Sequence, residues 1–356
     1  MKIIFLQAEN GDSTAISFCD SEGKPRNIVI DGGREVTYFN RVRRNGPLKK
    51  LIDKIKDRGE NIDLLILSHI DNDHIEGFLK WFEQDKNAPS IIGEVWFNSG
   101  EGIANYLNKP NNEDLNLFIT DGSNVYTGVD EGIEFQKYLQ KHNLNREGLV
   151  TKGMEWEDFN LKINVLTPTH NQLEDLLELY HEETGDVRYT AARNDWSKNL
   201  SDIIAEEEKP TFRFKQDRSE KNGSSITSLI TYKGKSFLLL ADSHPKEVCS
   251  ALKDLGYSKE NPVKVEFIQV AHHGSKANNN KELFELVDTQ NYIISTNSSG
   301  HGHPHKCVIA RIVAKNPKAV IYSNYERVAD NLLTEKDKID YPDVQVKLIS
   351  DFNIEE

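Results

Sequence analysis

The segment His69-x-Asp71-x-Asp73-His74 places four possible metal donors within six residues. Imidazoles and carboxylates in so short a turn converge on divalent cations. Four donors exceed what one ion usually takes from a single loop, so two adjacent ions are expected. The apolar run Leu64-Leu65-Ile66-Leu67 before it reads as a buried strand, and Ile75 to Trp81 as the start of a helix. The donors would then stand at the C-terminal end of a strand, where a rigid sheet can hold them. A plain helix start with Asp73 as its cap would use one carboxylate and explain none of the other donors.

Three further strand ends carry polar groups. Leu238-Leu239-Leu240-Ala241-Asp242 delivers one carboxylate, suited to bridging two ions or to capping the helix that follows. Phe267-Ile268-Gln269-Val270-Ala271-His272-His273-Gly274-Ser275 ends in paired histidines. One imidazole could complete a site while the other hydrogen-bonds behind it. Gly300-His301-Gly302-His303-Pro304-His305 lies between a strand at 291–296 and a helix. Alone it is as readily a solvated turn; with the others, its side chains are expected to face one cleft.

The elements that must position these groups follow from periodicity and turn residues. Strands are expected at 2–7 and 14–19, joined by Asn10-Gly11-Asp12-Ser13, and at 27–31, closed by Gly32-Gly33. A helix is expected at 47–58, the donor strand at 63–68, a helix at 75–84 and a strand at 92–97. The C-terminal half alternates strands at 161–166, 224–232, 236–241, 264–270, 291–296, 319–322 and 345–349 with helices. Hairpins in both halves favour an α+β sandwich, two mixed sheets flanked by helices in αββα order, over a doubly wound sheet. The chain, 1–356, reads as one domain with insertions at about 100–158 and 182–222. The second is charged and poor in apolar residues, and reads as a lid or a partner surface.

Composition narrows the function. With 37% hydrophobic and 28% charged residues among 356, the chain is an ordinary globular one. No apolar stretch reaches the length of about 18 residues that a membrane helix needs. Met1 to Gln7 reads as a first strand, not a signal peptide. Cys19, Cys249 and Cys307 are scattered singly, which suits a reducing cytoplasm. A net charge of −13 excludes broad, non-specific coating of nucleic acid. It does not exclude local binding of a phosphodiester, because bound cations reverse the field around them.

Taken together, the motifs resemble the metallo-β-lactamase-fold hydrolases, and most of all the hydrolase domain of the bacterial competence DNA-uptake channel and its stand-alone relatives. The resemblance rests on Gly11-Asp12-Ser13, Asp31-Gly32-Gly33, His69-x-Asp71-x-Asp73-His74 with Gly77, Asn222 with Ser225, Asp242, His272-His273-Gly274-Ser275-Lys276, and Gly302-His303-Pro304-His305. It implies a dinuclear site. His69 and Asp71 would hold one ion, and Asp73 and His74 the second. Asp242 would bridge, and one of the paired histidines, His272 before His273, would close the second site. Asp31 would stand behind the metal loop, with Asn222, Ser225, His273, Ser275 and Lys276 behind the ligands or near substrate. His303 would contact substrate or support proton transfer, alongside Asp73 among the residues of catalysis. Asp71 replaces the more common His; this harder ligand tilts preference from zinc towards manganese or magnesium, with zinc retained as a possibility. His170, in Thr167-Pro168-Thr169-His170, is a candidate third ligand for the first ion, or a surface histidine at a helix start.

The implied reaction is hydrolysis by water activated between two cations roughly 3.5–4 Å apart. A modest positive excess suits an anionic substrate, which favours a phosphodiester: a nucleic acid or a nucleotide. The alternatives are an ester, lactone or amide hydrolase of small molecules, and a subunit regulated by a protein partner through the insertions. Two basic clusters, Arg41, Arg43, Arg44, Lys49 and Lys50, and Arg213, Lys215, Arg218 and Lys221, adjoin the motifs. Either could follow a nucleotide chain or form a solvated face. Phe212 and Phe214 could stack on bases or fill a core.

Overall fold

Short apolar runs bounded by turn residues form two sheets. The structure, a computed structural model, describes residues 1–42, 44–109, 128–181 and 193–354. The first sheet has six strands in the order Asp351–Asn353, Lys2–Phe5, Thr14–Cys19, Pro25–Ile30, Ile62–Ile66 and Ile92–Trp96. Its first three pairings are antiparallel and its last two parallel. The second has eight, in the order Gln345–Leu348, Val320–Ser323, Asn291–Ile294, Ile268–Gln269, Lys235–Leu239, Thr227–Tyr232, Leu161–Thr167 and Glu155–Asp158. Here the first four pairings are parallel and the rest antiparallel.

The side-chain alternation of each strand fixes the layers. Leu64 and Ile66 point inward, with Ile3, Phe5, Ile16 and Ile28, onto Ile163, Val165, Ile230, Phe237 and Leu239 of the second sheet. Leu65 points the other way, with Val29 and Val95, onto Ile52, Phe78 and Trp81 of the helices Pro47–Asp57 and Asn72–Gln84. On the far side Leu238, Ile268, Ile294 and Ile321 pack against Val248, Leu252, Ile309 and Val313 of the helices Pro245–Asp254 and Lys306–Lys315. The result is a helix–sheet–sheet–helix sandwich, the αββα order expected. Phe267 sits between the sheets, with its ring 5.6, 5.2 and 5.0 Å from those of Phe5, Phe237 and Phe352. Its truncation to Ala would cost about 3–5 kcal/mol.

Two expectations need correction. The strand expected at 264–270 is broken. Val263–Lys264 pairs with Val287–Asp288 in a separate two-stranded ladder, and only Ile268–Gln269 joins the large sheet. The chain steps between them as Val265 N donates to Asp288 O and Glu266 N to Ser236 O. The stretch 100–158 is also more regular than its composition suggests, with helices Gly100–Tyr106 and Val129–Lys141 and the edge strand Glu155–Asp158. Its helices meet the helix His170–His181 in a fourth core of Ile103, Val129, Leu173, Leu177 and Tyr180, built on Ile70 of the donor loop. Residues 110–127 and 182–192 of the two stretches lie outside the described residues. Beyond residue 192, Trp196 Nε1 donates to Pro304 O, and Lys306 N to Asp195 Oδ1, which fastens this segment to the histidine-rich loop. Among the described residues no helix is long and apolar enough to cross a membrane.

Candidate metal centre

Glycines let three loops meet backbone to backbone at the edge of the first sheet. A Cβ on Gly11 would lie 1.9 Å from Asp73 O, and one on Gly77 would lie 1.9 Å from Gly32 O. Asp12 N donates to Asp73 O, Gly32 N to His74 O, and Gly77 N to Gly33 O. Asp31, in the left-handed region at φ 59, turns its carboxylate under the donor loop. It accepts from Ser68 N and Ser68 Oγ, both at 2.7 Å, and from His74 Nδ1 at 2.8 Å.

The second sheet supplies the opposite wall. Ala241, at φ 44, leads to Asp242, and His272 and His273 occupy one tight turn at φ 48 and 54. Left-handed backbone costs non-glycine residues of order 1–3 kcal/mol each and persists where the surroundings over-determine it. Here His272 N donates to Ala241 O at 2.8 Å, and Asn279 donates through Nδ2 to Ala271 O and Ser275 O while its Oδ1 accepts from Ala271 N. Gly274 admits the neighbouring loop, since a Cβ there would sit 2.5 Å from Pro304 Cβ. The His303 ring thereby lies 5.1 Å from that of His272 and 6.3 Å from that of His273.

The centre is Asp242, 1% exposed, facing four imidazoles. Its Oδ1 lies 3.5 Å from His74 Nε2 and 3.8 Å from His273 Nε2. Its Oδ2 lies 3.7 Å from His69 Nε2 and 3.4 Å from His272 Nε2. The other two acids divide the same way: Asp73 Oδ2 is 3.6 Å from His273 Nε2, and Asp71 Oδ2 is 3.7 Å from His69 Nε2. Asp12, His74, Asp242 and His273, all buried, each bring a donor atom within 4.8 Å of the others.

Each imidazole commits its Nδ1 to an acceptor behind it. His273 Nδ1 donates to Ser295 O at 2.9 Å, a carbonyl that can only accept. His74 Nδ1 donates to Asp31. His69 Nδ1 donates to Ser68 Oγ at 3.0 Å, whose own proton goes to Asp31. His272 Nδ1 donates to Asn278 Oδ1 at 3.1 Å, with Asn222 Nδ2 3.3 Å away. Acids stand on these rear sides as well: Asp12 Oδ1 is 3.7 Å from His273 Nδ1, and Asp217 Oδ2 is 3.7 Å from His272 Nδ1. Nδ1 held from behind leaves Nε2 to bind, as in carboxylate–histidine–metal arrangements. His69, His74 and His273 Nε2 and Asp242 Oδ1 are buried without hydrogen-bond partners, a costly state that a bound ion relieves. These residues fit a metal.

The electrostatics point the same way. Burial pushes the Asp242 and Asp73 carboxyls up, but the surrounding imidazoles outweigh it and hold both well below the usual carboxylate range. Burial pushes His74 and His273 down, but the acids around them raise both above the ordinary histidine value. A divalent ion needs these imidazoles neutral and the carboxyls ionised, which makes affinity for metal pH-dependent. His303 is the exception: burial first, then the neighbouring imidazoles, hold it well below the ordinary value.

The other candidates scatter. Against the expectation that His272 would close the second side, His273 stands with Asp73 and His74, and His272 stands with His69. Consecutive left-handed residues send the two rings to different oxygens of Asp242. His170 is exposed at the start of its helix, its ring 5.2 Å from that of Tyr106, so the structure gives it a surface neighbour in place of the cluster. Asn222 donates to Asp217 Oδ2 at 2.6 Å and so reaches His272 from behind. Ser225 is fully buried with its Oγ unpartnered. Ser275 is buried and accepts from Ala277 N. Lys276 is exposed; its N–H donates to His305 Nδ1 at 3.2 Å. Of the first basic cluster, Lys49 pairs with Asp53, and Arg43 lies outside the described residues. Phe214 meets the Arg311 guanidinium at 5.3 Å. Reading motifs alone gave Asp12 no role beyond its motif, and it missed Asp217 and the position of Lys221, whose ammonium pairs with Asp71. Asp12 follows a glycine in a turn, a usable signal; Asp217 lies in a charged stretch that offers none.

No family model matches the chain, and no curated protein does. Solved structures do. The chain is similar to the metallo-beta-lactamase fold protein YhfI from Bacillus subtilis, at 11% identity and TM-score 0.40, over 99% of this chain and 97% of that one. It is similar to the isothiocyanate hydrolase from Delia radicum gut bacteria, at 11% identity and TM-score 0.40, over 99% of each chain. A long form RNase Z from yeast matches at 14% identity and TM-score 0.34, over 90% of this chain and 36% of that one. Scores this low carry no inference about activity. The chain's own layer order is an αββα sandwich with its donor loops gathered at one edge, as the motif resemblance led one to expect. A fold shared by many chemistries leaves the substrate to be argued from the site.

Proposed function

We propose that the protein is a metal-dependent hydrolase of anionic phosphodiesters, a nucleic acid or a nucleotide being the substrate class. The observation that carries this reading is the convergence of four imidazole Nε2 atoms on Asp242, with every Nδ1 committed to an acceptor. His69, Asp71, Asp73, His74, Asp242, His272 and His273 would hold up to two divalent ions, manganese, zinc or magnesium. When bound, such ions lower the pKa of a water towards neutrality and stabilise the anionic charge that develops on substrate. The chain's residues do the rest. Asp31, Asp12 and Ser295 orient the imidazoles from behind. Asp73 is steadied by Asn10, whose Nδ2 donates to Asp73 Oδ2 at 3.2 Å. His303, beside both paired histidines, is the residue that meets substrate.

The phosphodiester reading is supported by the charge that bound ions would bring: two divalent cations against Asp71, Asp73 and Asp242 leave a modest positive excess. That excess favours an anionic group over a neutral lactam or lactone, despite a net charge of −13. The motif resemblance to the competence-type hydrolase domain agrees with it, and three unpaired cysteines suit a cytoplasmic setting. The test is direct. The purified chain, loaded with manganese, is offered single-stranded DNA, RNA, and linear and cyclic dinucleotides beside an ester and lactone panel. Cleavage of a phosphodiester, lost in Asp242→Ala, is the expected result. Turnover of the esters alone would overturn the reading, and a metal-loaded chain inert until a protein partner is added would replace it with a regulated subunit.

A further inference from the structure

We propose that Lys221 is the resident cation of the Asp71 side, so that the chain holds one divalent ion tightly, on the Asp242 Oδ1 side, and a second one only weakly. This rests on the metal-dependent reading above and goes beyond it by making the two positions unequal. The Lys221 ammonium pairs with Asp71 Oδ1, while Asp71 Oδ2 faces His69. A carboxylate already neutralised by a fixed ammonium is a poorer ligand for a second cation, and a divalent ion placed beside it meets like charge.

The placement is built into the fold. Lys221 and Asn222 are neighbours in the one-turn helix Glu220–Gly223, capped by Ser219, whose side chain accepts from Asn222 N. Lys221 reaches Asp71 while Asn222 stands 3.3 Å from His272 Nδ1, so one turn addresses two donors of the same side. Gly128 clears the path. At φ 82 it has no side chain, and a Cβ there would lie 3.2 Å from Lys221 Nζ and 3.4 Å from Lys221 Cδ. Burial sharpens the contrast. The side chains of His74 and His69 are both fully buried and Asp73 and Asp71 are 17% and 22% exposed, so the difference lies in the paired histidines, 2% exposed for His273 and 23% for His272.

The experiment counts metal rather than activity. The full chain and its Lys221→Met and Lys221→Arg variants are stripped with chelator, loaded with excess Zn²⁺, desalted, and assayed for retained metal. Wild type and Lys221→Arg should retain one equivalent, and Lys221→Met two. Two equivalents in wild type, or one in Lys221→Met with an unchanged circular dichroism spectrum, would overturn the inference while leaving a metal enzyme in place. No retained metal in any of the three chains would overturn the metal-dependent reading itself. Should Lys221→Met fail to fold, Co²⁺ titration of wild type decides the matter. A second absorption step at least about tenfold weaker than the first supports the inference, and two equal steps overturn it.

Discussion

The two oxygens of Asp242 face unlike surroundings. On the Oδ1 side, His74 and His273 are buried, backed by Asp31, Asp12 and the Ser295 carbonyl, and joined by Asp73. On the Oδ2 side, His69 leans on Ser68, His272 is partly exposed and backed by Asn278 and Asp217, and Asp71 is held by a lysine. One side has two carboxylates directly behind its imidazoles, Asp31 and Asp12, to the other's one, Asp217. The other has a fixed ammonium in front. The comparison teaches that a symmetric-looking count of donors is not by itself an argument for two equal sites. What stands behind an imidazole, and what already neutralises an acid, sets the affinity.

The harshest way to break the comparison is Asp242→Ala, which removes the one group both sides share. Retained metal should fall to background, and hydrolysis by more than about a thousandfold. Metal retained at the wild-type level would mean that the imidazoles do not converge as described. Next come the paired histidines, which separate the sides. His273→Ala should weaken the tightly held ion by more than the roughly 10–100-fold that loss of an outer hydrogen bond costs. His272→Ala should leave that ion in place and affect only the weaker one. Equilibrium dialysis of both variants measures this, and equal losses would erase the distinction.

A milder cut is Asp31→Asn, which keeps shape and removes the charge behind His74. Metal affinity should fall about 10–100-fold, with the fold intact by circular dichroism. Asp217→Asn is its counterpart on the other side and should leave the tight ion unchanged. The pair thus sharpens the same contrast without touching a front-facing donor.

Much of this architecture was legible in the sequence, and the reasons are local. Leu64-Leu65-Ile66 reads as a strand because alternate residues serve two cores, one on each face of the sheet. The donors that follow are legible because His and Asp have few other reasons to crowd into one turn. Asp31 was visible through its glycines, which the structure needs for close backbone approach at Gly32 and Gly77. The division of the site was not legible. Nothing local says that His272 and His273 adopt left-handed backbone and point to different oxygens, since that depends on Asn279 and Ala241 holding the turn. Lys221 read as part of a basic cluster because its partner lies 150 residues earlier in the chain, in the donor loop. The broken strand near Val265 was hidden for the same reason: its partners, Asp288 and Ser236, are distant in sequence.

The smallest expected effect is that of His170→Ala, and its smallness is informative. His170 occupies the chain position where a third ligand for the Oδ2 side was expected, yet it lies exposed against the Tyr106 ring. Its removal costs one surface stacking contact, worth about 0.5–1.5 kcal/mol at most beside a buried pair. Metal stoichiometry and the affinity of both steps should match wild type in the same titration. Among the described residues the Oδ2 side then has His69, His272, Asp71 and the shared Asp242 as donors, with the lysine already on one of them. A loss of the weaker step in His170→Ala would show that the helix His170–His181 can turn its first residue inward when metal is present. In that event the Oδ2 side gains a neutral donor, and the contrast between the two sides narrows to the lysine alone.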